Sequence, residues 1–302
     1  MRISVIVTCY KEGRLLFNAF NSLQQQTTKD FEIILVNDCS TDPETIEACK
    51  TLSQTPGTTV IWNKNNLGLS GSRNIAIEKM KGEVVVLLDG DDTLPPTSIE
   101  YIKSAFASAA NADLIFGDYL ISDEIDRHTS KKDCSIITNS SNSLDPKKLL
   151  IDWILLGTSP FKKTLWEKLG GYSLEFSNTC QDVDFIMRAV LNKADIVYTN
   201  EVIYHWHKSK RGMNNSLAHK QALLICYYNN YDFLLKYAQN DDGLSIAFMH
   251  LDYRKLKIWA AKRQLENQKT MYSRLIHKIP LPLMPYFCRF ILFSRRMKEY
   301  AN

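Results

Sequence analysis

The sequence predicts an α/β fold, a mostly parallel twisted sheet flanked by helices, with a helical extension at its C-terminal end. Three observations carry that expectation. Apolar runs of strand length alternate with longer amphipathic stretches over the N-terminal part of the chain, the rhythm of β-α-β units whose parallel strands are covered by helices. Helix-start and helix-stop residues fall between those runs. From about Ser216 onward the stretches become long and helical with no clear strands, and 302 residues exceed what one core comfortably holds. A boundary is therefore expected near residues 208 to 216, at Lys208-Ser209-Lys210-Arg211-Gly212, giving one domain over 1–212 and a helical extension over 213–302.

The elements follow in order. Ile3–Thr8 is a buried strand and too short an apolar run for a secretory signal, so no export is expected. Arg14–Gln26 is a helix with Leu16, Phe20 and Leu23 on one face, and Glu32–Val36 is the second strand. A helix starts at Pro43 after Asp42, Thr58–Trp62 is the third strand, a helix around Ser72–Met80 closes at Lys81-Gly82, and Val84–Leu88 is the fourth strand. Thr138–Ser143 is a loop, and Val202–Tyr204 is a late strand. Seven scattered cysteines, odd in number and without a C-x-x-C pair, suggest neither a disulfide framework nor a zinc cluster and fit a reducing cytoplasm.

Ligands of open α/β sheets bind beyond the carboxyl ends of the strands, so the residues after each apolar run carry the chemistry. The first strand ends in Thr8-Cys9-Tyr10, the second in Asn37-Asp38 and the fourth in Asp89-Gly90-Asp91-Asp92. Four carboxylates on one rim repel and raise one another's pKa unless neutralised, and a divalent cation, Mg²⁺ or Mn²⁺, would let that rim hold a diphosphate. Local roles compete with this reading: Asp38 sits in a turn-rich stretch, and Asp92 or Thr93 is expected to N-cap the helix that Pro95-Pro96 introduces.

Val5-Ile6-Val7-Thr8-Cys9-Tyr10, Val36-Asn37-Asp38-Cys39-Ser40-Thr41-Asp42, Asn66-Leu67-Gly68 through Ser72-Arg73-Asn74, and Leu87-Leu88-Asp89-Gly90-Asp91-Asp92 together resemble the family-2 glycosyltransferases, in order and at familiar spacing. The resemblance covers roughly the first 210 residues. It implies a single nucleotide-sugar-binding domain with a D-x-D motif, an inverting transfer, and a nucleoside-diphosphate sugar, UDP-sugars favoured, as donor. It further implies that Thr8, Tyr10 and Asp38 hold the base, that Arg73 also reaches the nucleotide, that Asp89 faces the ribose, that Glu12 belongs to the same nucleotide-sugar site, and that Asp91 ligates the metal. Arg73 follows the Gly-rich turn Gly68-Leu69-Ser70-Gly71, which presents a helix start to the rim.

Transfer to a hydroxyl needs a general base. In Thr179-Cys180-Gln181-Asp182-Val183-Asp184-Phe185-Ile186-Met187-Arg188, two carboxylates sit at a helix start, where the ionised form is favoured. The stretch resembles the family's acceptor-side motif and implies Asp182 as the base, with Gln181 where Glu is usual, which removes a possible acceptor-binding charge. His205 and His207 alternate onto one face, and the resemblance implies His207 near the diphosphate and metal.

The net charge of +4 hides a split: residues 251–302 carry twelve Lys/Arg against three Asp/Glu, leaving the rest of the chain acidic. The segment from Arg274 to Arg296 is apolar in the middle, basic at both ends, and too broken by Pro to span a bilayer. Two readings are open, an interfacial segment on the anionic inner face of the cell membrane, where a glycan or lipid-linked glycan would be the acceptor, and a helix packed on the catalytic domain or in a homodimer. Nucleic acid is not expected, because no recognition motif accompanies the charge. Rival readings are a haloacid-dehalogenase-like phosphatase with Asp89 as nucleophile and Gly117-Asp118 with Asp123 as second motif, a pyrophosphorylase, which would need a Gly-rich phosphate loop after the first strand, and a non-catalytic sugar-nucleotide-binding module.

Overall fold

In the computed structural model the described residues are 1–122, 128–176 and 179–208, with nine positions between 222 and 237. The chain divides into two units, Met1–Met213 and Asn214–Asn302. All elements named below belong to the first. The segment 274–296 and Asp123 lie outside the described residues, as do most of the helical stretches expected after Ser216.

The N-terminal half alternates as its apolar runs require: β1 (Ile3–Cys9), α1 (Leu15–Gln24), β2 (Phe31–Asn37), α2 (Pro43–Leu52), β3 (Thr58–Trp62), α3 (Gly68–Lys79) and β4 (Val84–Asp89). The four strands are parallel in the order β3-β2-β1-β4. Every residue of β1 is buried, as expected of a strand covered on both faces. Asp42 N-caps α2 by accepting the Thr45 amide at 2.9 Å, with Pro43 in the first turn. Chain order reverses between β1 and β4, and such a switch point opens a crevice beyond the strand ends. Register carries Thr8 to that edge between Val36 and Asp89.

The second half consists of α4 (Ser98–Ser108), β5 (Leu114–Ser122), β6 (Thr129–Lys132), α5 (Pro146–Ile151), β7 (Phe161–Lys162), α6 (Lys163–Leu169), α7 (Gln181–Leu191) and β8 (Ile196–His207). β7 lies antiparallel to both β4 and β5, and β5 pairs in parallel with β8 through a register shift at Asp118. The sheet is thus mostly parallel with an antiparallel insertion. α6 ends in two left-handed glycines, Gly170 (φ 72°) and Gly171 (φ 83°), which turn the chain towards α7.

Two expectations need correction. The helix after Pro95-Pro96 begins only at Ser98, with Thr97 at its N-cap, so neither Asp92 nor Thr93 caps it. Gly68–Gly71 is not a turn before the third helix but its first turn. The cause is Asp38, whose carboxylate accepts the amides of Leu67 and Gly68 at 2.8 Å each and draws the helix start back to Gly68.

Candidate active site

The rim carboxylates have different fates, each set by its partners. Asp38 is 5% exposed. Its Oδ1 accepts from Asn63 (2.9 Å) and the Leu67 amide, and its Oδ2 from the Gly68 amide. A carboxylate has about four acceptor directions, so about one remains for a ligand, on Oδ2. Asp92 turns inward to 4% exposure, where Oδ2 accepts the Tyr204 hydroxyl and Oδ1 the His207 amide, each at 2.8 Å. Burial, then Asp91 and Asp89, push the Asp92 carboxyl well above the usual range. Asp89 pairs with Arg73 at 2.7 Å, with the Arg73 side chain 2% and the Asp89 side chain 33% exposed. Burial works against the guanidinium charge, and the neighbouring Asp89 and Tyr172 outweigh it. The protein therefore supplies partners for Asp38, Asp89 and Asp92 itself, and the repulsion expected among neighbouring carboxylates raises both buried Asp92 and exposed Asp91.

Asp91 is exposed to solvent, yet protein atoms crowd its carboxyl group. That partial desolvation, then Asp89, then Glu12 raise its carboxyl to about 6. Glu12 accepts the amides of Tyr10 and Lys11 in the turn after β1. Burial raises its pKa against those amides, and Asp89 adds to the rise. Gly90 allows the approach: a Cβ there would meet Leu16, the Glu12 side chain at 3.1 Å and the Thr8 carbonyl. Thr8 is buried at the end of β1, whereas Tyr10 is exposed with the Lys11 ammonium 5.0 Å from its ring centre.

The end of β8 clamps this turn. Thr93 and His205 exchange backbone hydrogen bonds (3.2 and 3.0 Å), the Tyr204 hydroxyl accepts the Asp89 amide (3.3 Å), and His207 Nε2 pairs with the Thr93 hydroxyl (2.9 Å). His205 and His207 share a face, stacked at 4.2 Å, and His205 Nε2 pairs with Ser122. Among the described residues no three His, Cys, Asp or Glu side chains come together as a metal site. The donor set still fits a hard cation. Mg²⁺ is ordinarily held by one or two carboxylates plus substrate phosphates, and Asp91 offers oxygen beside Asp89 and Glu12.

Asp182 lies in the first turn of α7. It is not a cap: that position is Cys180, at φ 60° and without a side-chain cap bond. Asp184 is committed elsewhere, to Arg188 at 2.7 Å. Asp182 is partly buried, and no hydrogen bond or ion pair engages it among the described residues. Gly157 packs so closely on it that a Cβ at residue 157 would fall within the carboxylate. The neighbouring Gln181 is 6% exposed, its Oε1 without a partner. Both Asp182 and Asp89 act electrostatically on Arg73 and Tyr172, so the two ends of the site converge there. The sequence reading missed Gly157, Tyr172 and Tyr204. An isolated glycine before Thr158-Ser159-Pro160 was the one local signal among them.

Carboxylates thus stand at the switch point of a parallel sheet, and a further one, Asp182, acts on the same Arg73 and Tyr172 as Asp89 does. Residues 4–161 match Glycosyl transferase family 2, and the chain belongs to that family. It is similar to an uncharacterized glycosyltransferase of Haemophilus influenzae, 26% identical over 266 residues that cover 82% of this chain and 84% of that one. It is also similar to the cholesterol galactosyltransferase of Borreliella burgdorferi, 26% identical over 253 residues covering 78% and 68%. In fold it is similar to S. aureus TarS 1-349 in complex with UDP-GlcNAc, with a TM-score of 0.62 and 19% identity over 94% of this chain and 78% of that one. It spans 43% of a longer TarS chain.

The protein is accordingly a glycosyltransferase, and the phosphatase reading is not favoured. Asp89 is tied to Arg73, and Asp118 is buried against Tyr198, Cys134 and Lys131 rather than facing the rim.

Proposed function

We propose that the chain moves a sugar from a UDP-sugar to an acceptor hydroxyl by one inverting displacement, with Asp182 as general base. The observation that carries this reading is the contrast between Asp182, whose oxygens have no hydrogen-bond partner among the described residues, and Asp184 and Asp92, whose oxygens are spent on the fold. A base must accept a proton from a hydroxyl within hydrogen-bond reach, and Asp182 keeps both some exposure and free oxygens for one. A single carboxylate so disposed favours one displacement over a covalent intermediate. Thr8, Tyr10, Glu12 and Asp38 bind the nucleotide, while Arg73 orients Asp89 towards the ribose. Mg²⁺ or Mn²⁺, held by Asp91 together with the donor diphosphate and with His207 near by, would offset the charge of the departing nucleotide. The UDP and UDP-GlcNAc complexes of TarS support the choice of UDP. TarS is a poly(ribitol-phosphate) beta-N-acetylglucosaminyltransferase and the Borreliella relative a cholesterol galactosyltransferase, which supports a cell-surface glycan or lipid-linked acceptor here. A panel of UDP- and GDP-sugars screened for hydrolysis identifies the donor, and NMR of the transfer product should then give the inverted anomeric configuration. Retention would sink the single displacement.

We further propose peripheral attachment to the inner face of the membrane through the basic, apolar segment 274–296. Each basic residue near an anionic surface contributes about 1 kcal/mol, so attachment should be reversible and weakened by salt. Among the described residues no helix is long and apolar enough to cross a membrane. In flotation with anionic vesicles at low salt the whole chain should rise with the lipid, and a chain ending near residue 270 should not. Equal flotation of the two would favour packing of the segment on the domain or in a homodimer.

A further inference from the structure

Arg73 and Asn74 are consecutive on α3, yet they serve opposite ends of the site. Arg73 holds Asp89. Asn74 bonds to the glycine turn that precedes α7: its Oδ1 accepts the Tyr172 amide and the Trp166 indole N–H, and its Nδ2 donates to the Tyr172 carbonyl, all at 2.9 Å. Three bonds fix the orientation of the amide, because a flipped group would set its NH₂ against two N–H donors. Gly171 makes room for this contact, since a Cβ there would meet Asn74 Oδ1 at 3.1 Å and Trp166 Nε1 at 3.3 Å.

Tyr172 passes the tie onward in two directions. Its ring stacks on Phe185 at 4.6 Å and 27°, and Phe185 stands three residues after Asp182 on α7, a neighbour on the same helix surface. The same ring lies under the Arg73 guanidinium, 5.9 Å from its centre. Arg188 fastens the turn from the α7 side, donating to the carbonyls of Leu169 (2.8 Å) and Gly171 (2.9 Å). Removing the Asn74 amide would take away the partners of the Tyr172 N–H, the Tyr172 carbonyl and the Trp166 indole N–H.

We propose that Asn74 is a positioning residue for transfer: by holding the Tyr172 backbone it sets the distance between the Asp89–Arg73 pair on the donor side and the Asp182 base on the acceptor side. The inference rests on the assignment of Asp182 as base. Among the described residues Asn74 makes no hydrogen bond to a residue assigned to the nucleotide, so its loss should alter turnover and spare nucleotide binding. A misplacement of about 1 Å costs about a hundredfold in rate.

The test compares wild type, Asn74→Ala and Asn74→Asp in the full chain, using hydrolysis of the best donor from the UDP-sugar panel and calorimetric binding of UDP with Mn²⁺. Asn74→Ala should lower kcat by about a hundredfold and leave UDP affinity within about twofold of wild type. Asn74→Asp keeps both acceptor bonds but sets a carboxylate against the Tyr172 carbonyl. Protonation would restore an O–H donor there, so its kcat relative to wild type at the same pH should recover as pH falls. The charged groups beside that position are Arg73 on the same turn and Arg188 across the loop, and both stay cationic throughout. If kcat of Asn74→Ala stays within about twofold, or if kcat and UDP affinity fall together, the positioning role is overturned. A recovery in Asn74→Asp sustains it even where the alanine variant fails to fold, and a pH-independent defect overturns it. A wild-type chain that binds UDP but turns over no donor would overturn the transfer reading and this one with it, a result distinct from a working wild type beside an equally active Asn74→Ala.

Discussion

Replacing Asp182 by asparagine should lower kcat for transfer by about 10²–10⁴-fold, the usual contribution of a general base, while UDP affinity stays near wild type. The substitution keeps the shape of the side chain and removes only its capacity to accept a full proton. Folding should be little affected, because no hydrogen bond or ion pair among the described residues depends on that carboxylate. Asp184→Asn is the matched contrast. It disrupts the pair with Arg188, whose remaining donors fasten Leu169 and Gly171, so its effect should fall on thermal stability. Gly157→Ala probes the same base from the other side, since the added methyl would occupy the space of the Asp182 carboxylate and force it aside. Full turnover in Asp182→Asn would show that another group takes the proton.

The parts of this site that are legible in the sequence are those fixed by local patterns. β1, β2 and β4 are apolar runs of strand length, and the residues just after them fall near the strand ends where ligands of parallel sheets bind. The Gly170-Gly171 turn and the start of α7 are likewise local signals. β7 was not legible, because two residues antiparallel to β4 carry no periodicity of their own. The fates of the carboxylates were not legible either. Whether an aspartate after a strand faces water or the core depends on partners far along the chain: Tyr204 stands 112 residues from Asp92, and Leu67 stands 29 residues from Asp38. The helix-cap expectation for Asp92 failed for that reason, as a distant tyrosine and a strand amide bind it more completely than a helix start would. Asn74 lay inside a recognisable stretch, but its partner Tyr172, 98 residues later, is what gives it a role.

Asp91→Asn should abolish metal-dependent UDP binding and at the same time make the ligand-free protein more stable at neutral pH. Both effects follow from one position. Partial desolvation, Asp89 and Glu12 raise the Asp91 carboxyl from an ordinary 3.8 to about 6, so the fold disfavours its charge. The sign is that of a raised acid: folded and unfolded chains are equally protonated below the ordinary carboxylate range, the unfolded chain ionises first as pH rises, and the destabilisation is complete once pH passes about 6. The asparagine variant escapes it, so its melting temperature should exceed that of wild type at pH 8, and the difference should vanish towards pH 4. Nucleotide binding runs the other way. A carboxylate must be ionised to share a cation with a diphosphate, so wild-type affinity for UDP with Mn²⁺ should weaken as pH falls through about 6 and below. Asparagine retains one neutral oxygen but not the charge, so the metal-dependent increment should be lost in Asp91→Asn as in Asp91→Ala. Calorimetry with and without Mn²⁺ across that pH range, beside thermal melts of the same samples, separates the two effects. Equal UDP affinity with and without metal in the wild type would remove Asp91 from the metal site. A variant that binds normally and melts no higher would remove the strain as well.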